Sequence, residues 1–341
     1  MTKLRAVLVG AGWVARARYL PALRSLPGVE LVGVCEHTPG AIRSELPESV
    51  IVSSSLDAVL ELRPDVVFVC TPPWLHHDHS IAALAAGADV LCEKPMAMTS
   101  AEARSMYASS REHGGALCVS HNFLWSVAMG QARRRLDHSD GLQYLTATQL
   151  SSSKRRLPSW HRELAGGLIF DELPHMIYVM SDLAGTAPAV VDVRAHRRDG
   201  EVVGCDVMFD FGQTPGSLAV VLDAPISEWH VSAVCANDVV DIDLFRDTMV
   251  ATGSDGSHKA LDVLGLSARV TARHLLGFSA AGLRSALGRQ FWGHDRLIAQ
   301  FCSFVVARRA GDPSALPPVS ESRALQVVDC VETIVEALAH D

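Results

Sequence analysis

Along the first third of the chain, short apolar runs are separated by stretches of mixed polarity. Ala6-Val7-Leu8-Val9 is the first, and it stops at Gly10. Glu30 to Cys35, Asp65 to Cys70, Asp89 to Cys92 and Ala116 to Ser120 follow. Runs that are apolar throughout, rather than at every second position, belong to strands covered on both faces, as in a parallel sheet. The stretches Ala15 to Ser25, Leu56 to Leu62, Ser80 to Ala86 and Ser100 to Glu112 read as helices. Thr99 or Ser100 offers the last of them an N-cap hydroxyl, and Gly114-Gly115 closes it. This alternation predicts a doubly wound α/β layer over residues 1–120.

After residue 120 the pattern changes. Leu124 to Leu136 and Leu168 to Leu183 have a helical period, whereas Gln143 to Ser151 alternates like a strand with one wet face. Several strands broken by Asp-Gly, Gly-Gln and Pro-Gly turns run from Val190 to Val250, and a long helix runs from Ser320 to Ala339. Ser254 to Gly288 has no readable period. Residues 121–341 are expected to form an α+β domain with a large, mostly antiparallel open sheet and helices on one face. Its other face is expected to be apolar and uncovered, which predicts a homodimer or homotetramer assembled through it.

Composition narrows the function. The 341 residues suffice for two domains, and 48% hydrophobic residues suffice for real cores. A formal net charge of -8 points to neither nucleic acid nor an anionic membrane as partner. No apolar run reaches the roughly 18 residues of a membrane span, and no cleavable leader is visible. Eight cysteines without a C-x-x-C pair read as buried thiols in a reducing compartment, so a cytoplasmic protein is expected. There are only four lysines, which makes Lys94 conspicuous.

Gly10-Ala11-Gly12-Trp13-Val14-Ala15 follows a strand and opens a helix, as the dinucleotide fingerprint G-x-G-x-x-A does. Gly10 permits a tight turn, Gly12 close approach of backbone to a pyrophosphate, and Ala15 close packing of helix on strand. The helix start, with Trp13 and Val14, presents N–H groups to the phosphates. Glu36 ends the second strand, 24 residues after Gly12, where a carboxylate accepts from both adenosine ribose hydroxyls and repels a 2′-phosphate. NAD is therefore expected rather than NADP, although Arg43 stands close by. These features make the first domain an N-terminal Rossmann domain.

Ligands of a doubly wound sheet sit at the carboxyl ends of its strands. Lys94, after the strand Asp89 to Cys92, is thus expected at the nicotinamide, with Thr71-Pro72-Pro73 lining the same crevice. Asp171 and His175 are four apart, on one face of a predicted helix. A neutral His can take a hydroxyl proton, a Lys can stabilise developing alkoxide charge, and an Asp can hold the imidazole or a second hydroxyl. A structural Asp-His pair has the same spacing.

The glycine loop with Pro21-Ala22-Leu23, Thr71-Pro72-Pro73 with His76, Cys92-Glu93-Lys94-Pro95, and Gly166-Gly167 followed by Asp171 and His175 together resemble the Gfo/Idh/MocA oxidoreductases. The resemblance implies a catalytic Lys94, a substrate-facing Asp171 and a proton-transferring His175. It further implies that Thr71, Pro72, His76 and Glu93 line the cofactor and that Lys94-Pro95 is a cis peptide. Trp74, Phe123-Leu124-Trp125 and Glu172-Leu173-Pro174 depart from the family pattern around the substrate.

Other features stay open. His76-His77-Asp78-His79 lacks the one-face spacing of a metal site. Lys154, Arg155 and Arg156 either grip a substrate phosphate or form a solvated loop. Trp160 either walls the pocket or packs structurally, and His121-Asn122, at the end of the sixth strand, either reaches the substrate or caps the chain as it enters the second domain. The expected reaction is NAD-dependent oxidation of a secondary alcohol on a sugar, sugar derivative or cyclitol. The alternatives are reduction of a ketosugar nucleotide, a non-catalytic NAD-binding regulator, and reduction of an imine or enone.

Overall fold

The apolar runs of the first third become the strands of one parallel sheet. The computed structural model describes residues 3–152, 154, 159–257, 259–288 and 292–340. They divide into two compact units, residues 1–121 with 294–329 and residues 122–293 with 330–341. A single crossing near residue 120 was expected. The chain instead returns to the first unit at residue 294.

In the first unit, β1 (Leu4–Val9), β2 (Val29–Cys35), β3 (Ile51–Ser53), β4 (Val66–Val69), β5 (Asp89–Cys92) and β6 (Leu117–Val119) are ordered β3-β2-β1-β4-β5-β6. Every pairing is parallel. The order reverses between β1 and β4, so the loops after these strands diverge and open a crevice at their carboxyl ends. Leu8, Phe68 and Leu91 are fully buried, each worth roughly 1.5–3 kcal/mol of hydrophobic stabilisation. The strand β3 went unread because it has three residues, none of them buried.

The first helix is not uniform. Ala15–Tyr19 is π-helical and continues into α1 (Leu20–Ser25). Pro21 has no N–H for the carbonyl of Ala17, and its ring crowds that carbonyl. The turn widens, the Leu20 N–H donates to Ala15 O, and Arg18 Nη1 donates to the released Ala17 carbonyl at 3.3 Å. Further along, α2 (Leu56–Leu60), α3 (His76–Ala85) and α4 (Ser100–His113) connect the strands. Thr99 caps α4 by accepting the Glu102 N–H, and Gly114 ends it in the left-handed conformation.

A helix that the sequence reading passed over, α8 (His294–Arg309), belongs to this unit. Phe301 meets Phe68 edge-on at 6.3 Å. At the amino end of β5, the buried Asp89 accepts from Arg308 Nη2, from Arg309 Nε at 2.9 Å and from the Ala116 N–H at 2.7 Å. The returning helix is thereby fastened to the end of the sheet opposite the crevice.

In the second unit, α5 (Val127–Leu136) precedes β7 (Leu142–Ser152) and α6 (Gly167–Ala184). Then come β8 (Ala189–Arg198), β9 (Glu201–Asp210), β10 (Pro215–Ala224), β11 (Glu228–Cys235), β12 (Asp238–Asp243) and β13 (Thr248–Gly253). The sheet order is β13-β12-β11-β7-β10-β9-β8, antiparallel except between β10 and β7. The buried residues Leu145, Ala147, Leu218, Val220, Val231 and Ala233 alternate with half-buried ones, and α6 packs over β7, β10 and β11. The opposite face was expected to be apolar. It is mixed, with Thr146, Ser217 and Ser232 in register across three strands beside Tyr144, Val221 and Val234.

The unreadable stretch forms α7 (Ala260–Ala286), packed along β13. Leu261, Leu264, Leu275, Leu276 and Leu283 are exposed on it, which is why it lacks the pattern of a core helix. The last helix is α9 (Glu321–His340). All eight cysteines are buried and unbridged. Among the described residues no helix is long and apolar enough to cross a membrane.

Candidate active site

The glycine loop leaves β1 at Gly10, whose N–H donates to Cys35 O at 2.8 Å. Gly10 has φ 86°, and a Cβ there would stand 2.8 Å from the backbone of Cys70 and Thr71. Its glycine is required by the close approach of β4 as well as by the turn. A Cβ on Gly12 would meet nothing within 4 Å, so the chain is open on the side where the helix begins. Glu36 is tied to this loop. Its Oε2 accepts the Ala11 N–H at 2.7 Å and its Oε1 accepts the Thr38 N–H at 3.2 Å. Trp13 is 66% exposed, with the Arg18 guanidinium 5.1 Å above its ring. Arg43 is committed elsewhere, donating to Val50 O at 2.7 Å and to the carbonyls of Leu46 and Pro47. A loop with a glycine cradle, open backbone and a carboxylate at the second strand end suits a dinucleotide.

At the carboxyl ends of β4 and β5, His76 lies between two carbonyls. Its Nδ1 is 2.7 Å from Pro95 O and its Nε2 is 2.7 Å from Thr71 O. Burial pushes its pKa down, more than the two carbonyls raise it. A neutral ring donates to only one of them. His76 is 1% exposed, so it links the Thr71 loop to the Lys94-Pro95 loop from behind. Lys94-Pro95 is a cis peptide, and Lys94 itself is half-buried. Glu93 is buried, accepting from Tyr19 Oη at 2.7 Å and from the Lys94 N–H at 3.2 Å, with His294 Nε2 3.7 Å away. Burial, then the Glu93 charge, pushes the Tyr19 phenol and the Cys70 thiol up. These groups stay protonated, and none is a thiolate nucleophile.

In the second unit, Gly166 (φ 78°) and Gly167 (φ 57°) turn the chain into α6. A Cβ on Gly166 would press on Val335 at 3.0 Å. Asp171 is half-buried, and His175 lies one helical turn later at 7% exposure. Between them Glu172 is buried, accepting from Gln149 Nε2 at 3.0 Å and from Ser151 Oγ, which anchors α6 on β7. The His175 ring stands between Phe123, edge-on at 5.1 Å, and Trp229 at 5.0 Å. Its Nδ1 is 2.7 Å from Tyr178 Oη. The imidazole is thus held between two aromatic rings, with Nδ1 against a phenol oxygen.

The candidates left open separate. His77 pairs with Asp78 at 2.7 Å, whereas His79 Nδ1 is 3.2 Å from the hydroxyl of Thr71, the residue whose carbonyl His76 contacts. Among the described residues no group of three or more His, Cys, Asp or Glu is arranged for a metal. Asn122 is buried and donates to Trp292 O at 2.9 Å. Lys154 is exposed and Trp160 half-buried. Arg155 and Arg156 lie outside the described residues. A cavity of about 320 Å³ lies elsewhere in the second unit, lined by Glu228, His230, Asp243, Arg246, His274 and Phe278. Within it Arg246 pairs with both Asp243 and Glu228.

The crevice has the geometry of a nicotinamide dinucleotide site, and comparison with known proteins agrees. Residues 4–121 match the oxidoreductase family with NAD-binding Rossmann fold. Over this segment the chain is similar to the Gfo/Idh/MocA oxidoreductases. One relative is D-glucoside 3-dehydrogenase of Escherichia coli (strain K12), 30% identical over 201 residues, covering 57% of each chain. Another is scyllo-inositol 2-dehydrogenase (NADP(+)) IolW of Bacillus subtilis (strain 168), 25% identical over 202 residues, 58% of this chain and 56% of that protein. The chain thus spans little more than half the length of these relatives. The whole fold is similar to the WlbA dehydrogenase from Bordetella pertussis, solved with NADH and UDP-GlcNAcA. There the TM-score is 0.76 at 19% identity, covering 99% of this chain and 96% of that one.

Sequence reasoning missed Tyr19 and His294 around Glu93, Gln149 and Ser151 around Glu172, and Tyr178 beside His175. Only Tyr178 carried a local signal, three residues after His175 and so on the same helical face. The others come from elements far apart in the chain.

Proposed function

We propose that this protein oxidises a secondary alcohol of a sugar, sugar derivative or cyclitol, with NAD as hydride acceptor. The observation that carries the reading is the buried His175 imidazole one helical turn from Asp171, in a chain that also holds Lys94 at the carboxyl end of β5. When bound, NAD supplies the acceptor for the carbinol hydrogen and its electron pair. His175 takes the hydroxyl proton. Lys94 holds the hydroxyl oxygen and stabilises the charge that develops on it. Asp171 orients the substrate through a neighbouring hydroxyl. The glucoside and inositol dehydrogenases among the relatives act, by name, on this substrate class.

Gly10, Gly12, Trp13 and Val14 are proposed to hold the pyrophosphate, and Thr71, Pro72 and Glu93 to line the nicotinamide side. His76 supports that wall from behind. Glu36 is proposed to take the adenosine ribose, and with Arg43 occupied by loop carbonyls, NAD is favoured over NADP. Unbridged thiols suit a reducing compartment, and the reading places the enzyme in the cytoplasm.

The test is NADH formation with a panel of glucosides, cyclitols and UDP-hexoses. One class should support turnover. Lys94→Ala and His175→Asn should each cut that turnover by about 100-fold or more while NADH binding, read by fluorescence, stays within about threefold of the parent. Undiminished turnover in both variants would overturn the assignment.

A further inference from the structure

Resting on the reading of His175 as proton acceptor, we infer that Tyr178 fixes its tautomer, keeping the ring proton on Nδ1 and the basic lone pair on Nε2. The argument follows one chain of hydrogen bonds. Asn122 Nδ2 donates to the main-chain carbonyl of Trp292 at 2.9 Å, which sets the side-chain amide so that Oδ1 points the other way. That oxygen can only accept, and Tyr178 Oη lies 3.2 Å from it as donor. The phenol has one proton, so this contact uses it.

Two lone pairs remain on the phenol oxygen. The main-chain N–H of Phe123, which can only donate, takes one at 3.3 Å. The other meets His175 Nδ1 at 2.7 Å. An oxygen with its proton already directed elsewhere can only accept there, so Nδ1 carries the hydrogen. Both ends of the chain are main-chain groups, the carbonyl of Trp292 and the N–H of Phe123. The polarity of the relay is therefore set by the fold rather than by a side chain free to flip.

The consequence is chemical. Histidine in water favours the proton on Nε2, which would make Nδ1 the basic atom. Holding the proton on Nδ1 makes Nε2 the atom that accepts the substrate hydroxyl proton. When that proton arrives, the Nδ1–H to Tyr178 bond persists and strengthens, because its donor now belongs to a cation. Tyr178 is thus a positioning residue that acts through His175. Its burial beside Phe123 on an internal helix face keeps water from competing for Nδ1.

The test reads the tautomer directly and needs no substrate. Protein carrying ring-15N histidine is examined by long-range 1H–15N correlation above the pH at which the imidazole protonates. The His175 signals are assigned by their loss in His175→Asn. In the wild type, Nδ1 should show the shift of a protonated ring nitrogen and Nε2 that of an unprotonated one. In Tyr178→Phe the two should exchange character, with NADH binding unchanged. A wild-type ring protonated on Nε2 overturns the inference, even if Tyr178→Phe does not fold. So does a Tyr178→Phe spectrum identical to the wild type. The proton-acceptor reading fails separately, by undiminished turnover in His175→Asn, so the two failures are distinguishable.

Discussion

Glu36 is the side chain on which the proposed choice of NAD rests. Its carboxylate is held by the Ala11 and Thr38 N–H groups at the end of β2, while the neighbouring guanidiniums have other partners: Arg43 serves the carbonyls of Leu46, Pro47 and Val50, and Arg16 the carbonyls of Ala11 and Ala41 and the Glu45 carboxylate. NADH should bind at least about tenfold tighter than NADPH, a difference of about 1.4 kcal/mol. Glu36→Ala should weaken NADH and bring the two affinities together. Fluorescence titration of both variants with both nucleotides checks this, and equal binding by the parent would refute it. Gly10 was legible as a glycine from its motif. The reason it cannot be anything else, a Cβ 2.8 Å from the backbone at Cys70 and Thr71, required two strands to be brought side by side.

Among the elements, α8 shows what local periodicity cannot reveal. Its apolar face fits a helix, but nothing in its sequence says that it returns to the first sheet. Asp89 makes the connection, fully buried at the amino end of β5 with two arginines of α8 as donors. Those guanidiniums are about one-third exposed (32% and 34%), so water can partly replace the carboxylate. Asp89→Asn should therefore cost about 2 kcal/mol, less than a fully buried pair. The crevice is at the other end of the sheet, so NADH affinity should be unchanged. Urea unfolding and nucleotide titration on one preparation test both statements, and a variant as stable as the parent would show that the clamp contributes nothing. The π-helical turn at Ala15–Tyr19 is the reverse case, since Pro21 announces it within the same segment.

For the whole molecule, the buried histidines predict an acid response. Burial, with Arg323 nearby, lowers the pKa of His121 to about 3 from 6.5, and burial also lowers that of His76. Both are neutral when folded, whereas in the unfolded chain they bind protons below about pH 6.5. Stability is full above that pH and is lost as pH falls through it, by up to about 1.4 kcal/mol per pH unit for each ring. The urea midpoint should drop between about pH 7 and about pH 5.5, before most carboxylates titrate. His121→Asn should flatten that slope, and an unchanged slope would refute the assignment. Assembly is expected as well. The exposed leucines of α7 leave apolar surface uncovered, and the mixed face of the second sheet carries the half-buried Tyr144, Val221 and Val234. We expect a homodimer or homotetramer through the sheet, and a monomeric mass in light scattering at micromolar concentration would refute it. By itself the sequence determined the parallel sheet, the glycine loop, Glu36, and the helix carrying Asp171 and His175, because each is written in a local period or spacing. Tertiary structure alone decided that Tyr19 and His294 surround Glu93, that Asp89 holds α8, and that Tyr178 can orient the His175 proton. Each of these rests on which groups face one another across elements distant in the chain, or on which lone pair is already taken, and neither leaves a periodic trace in the sequence.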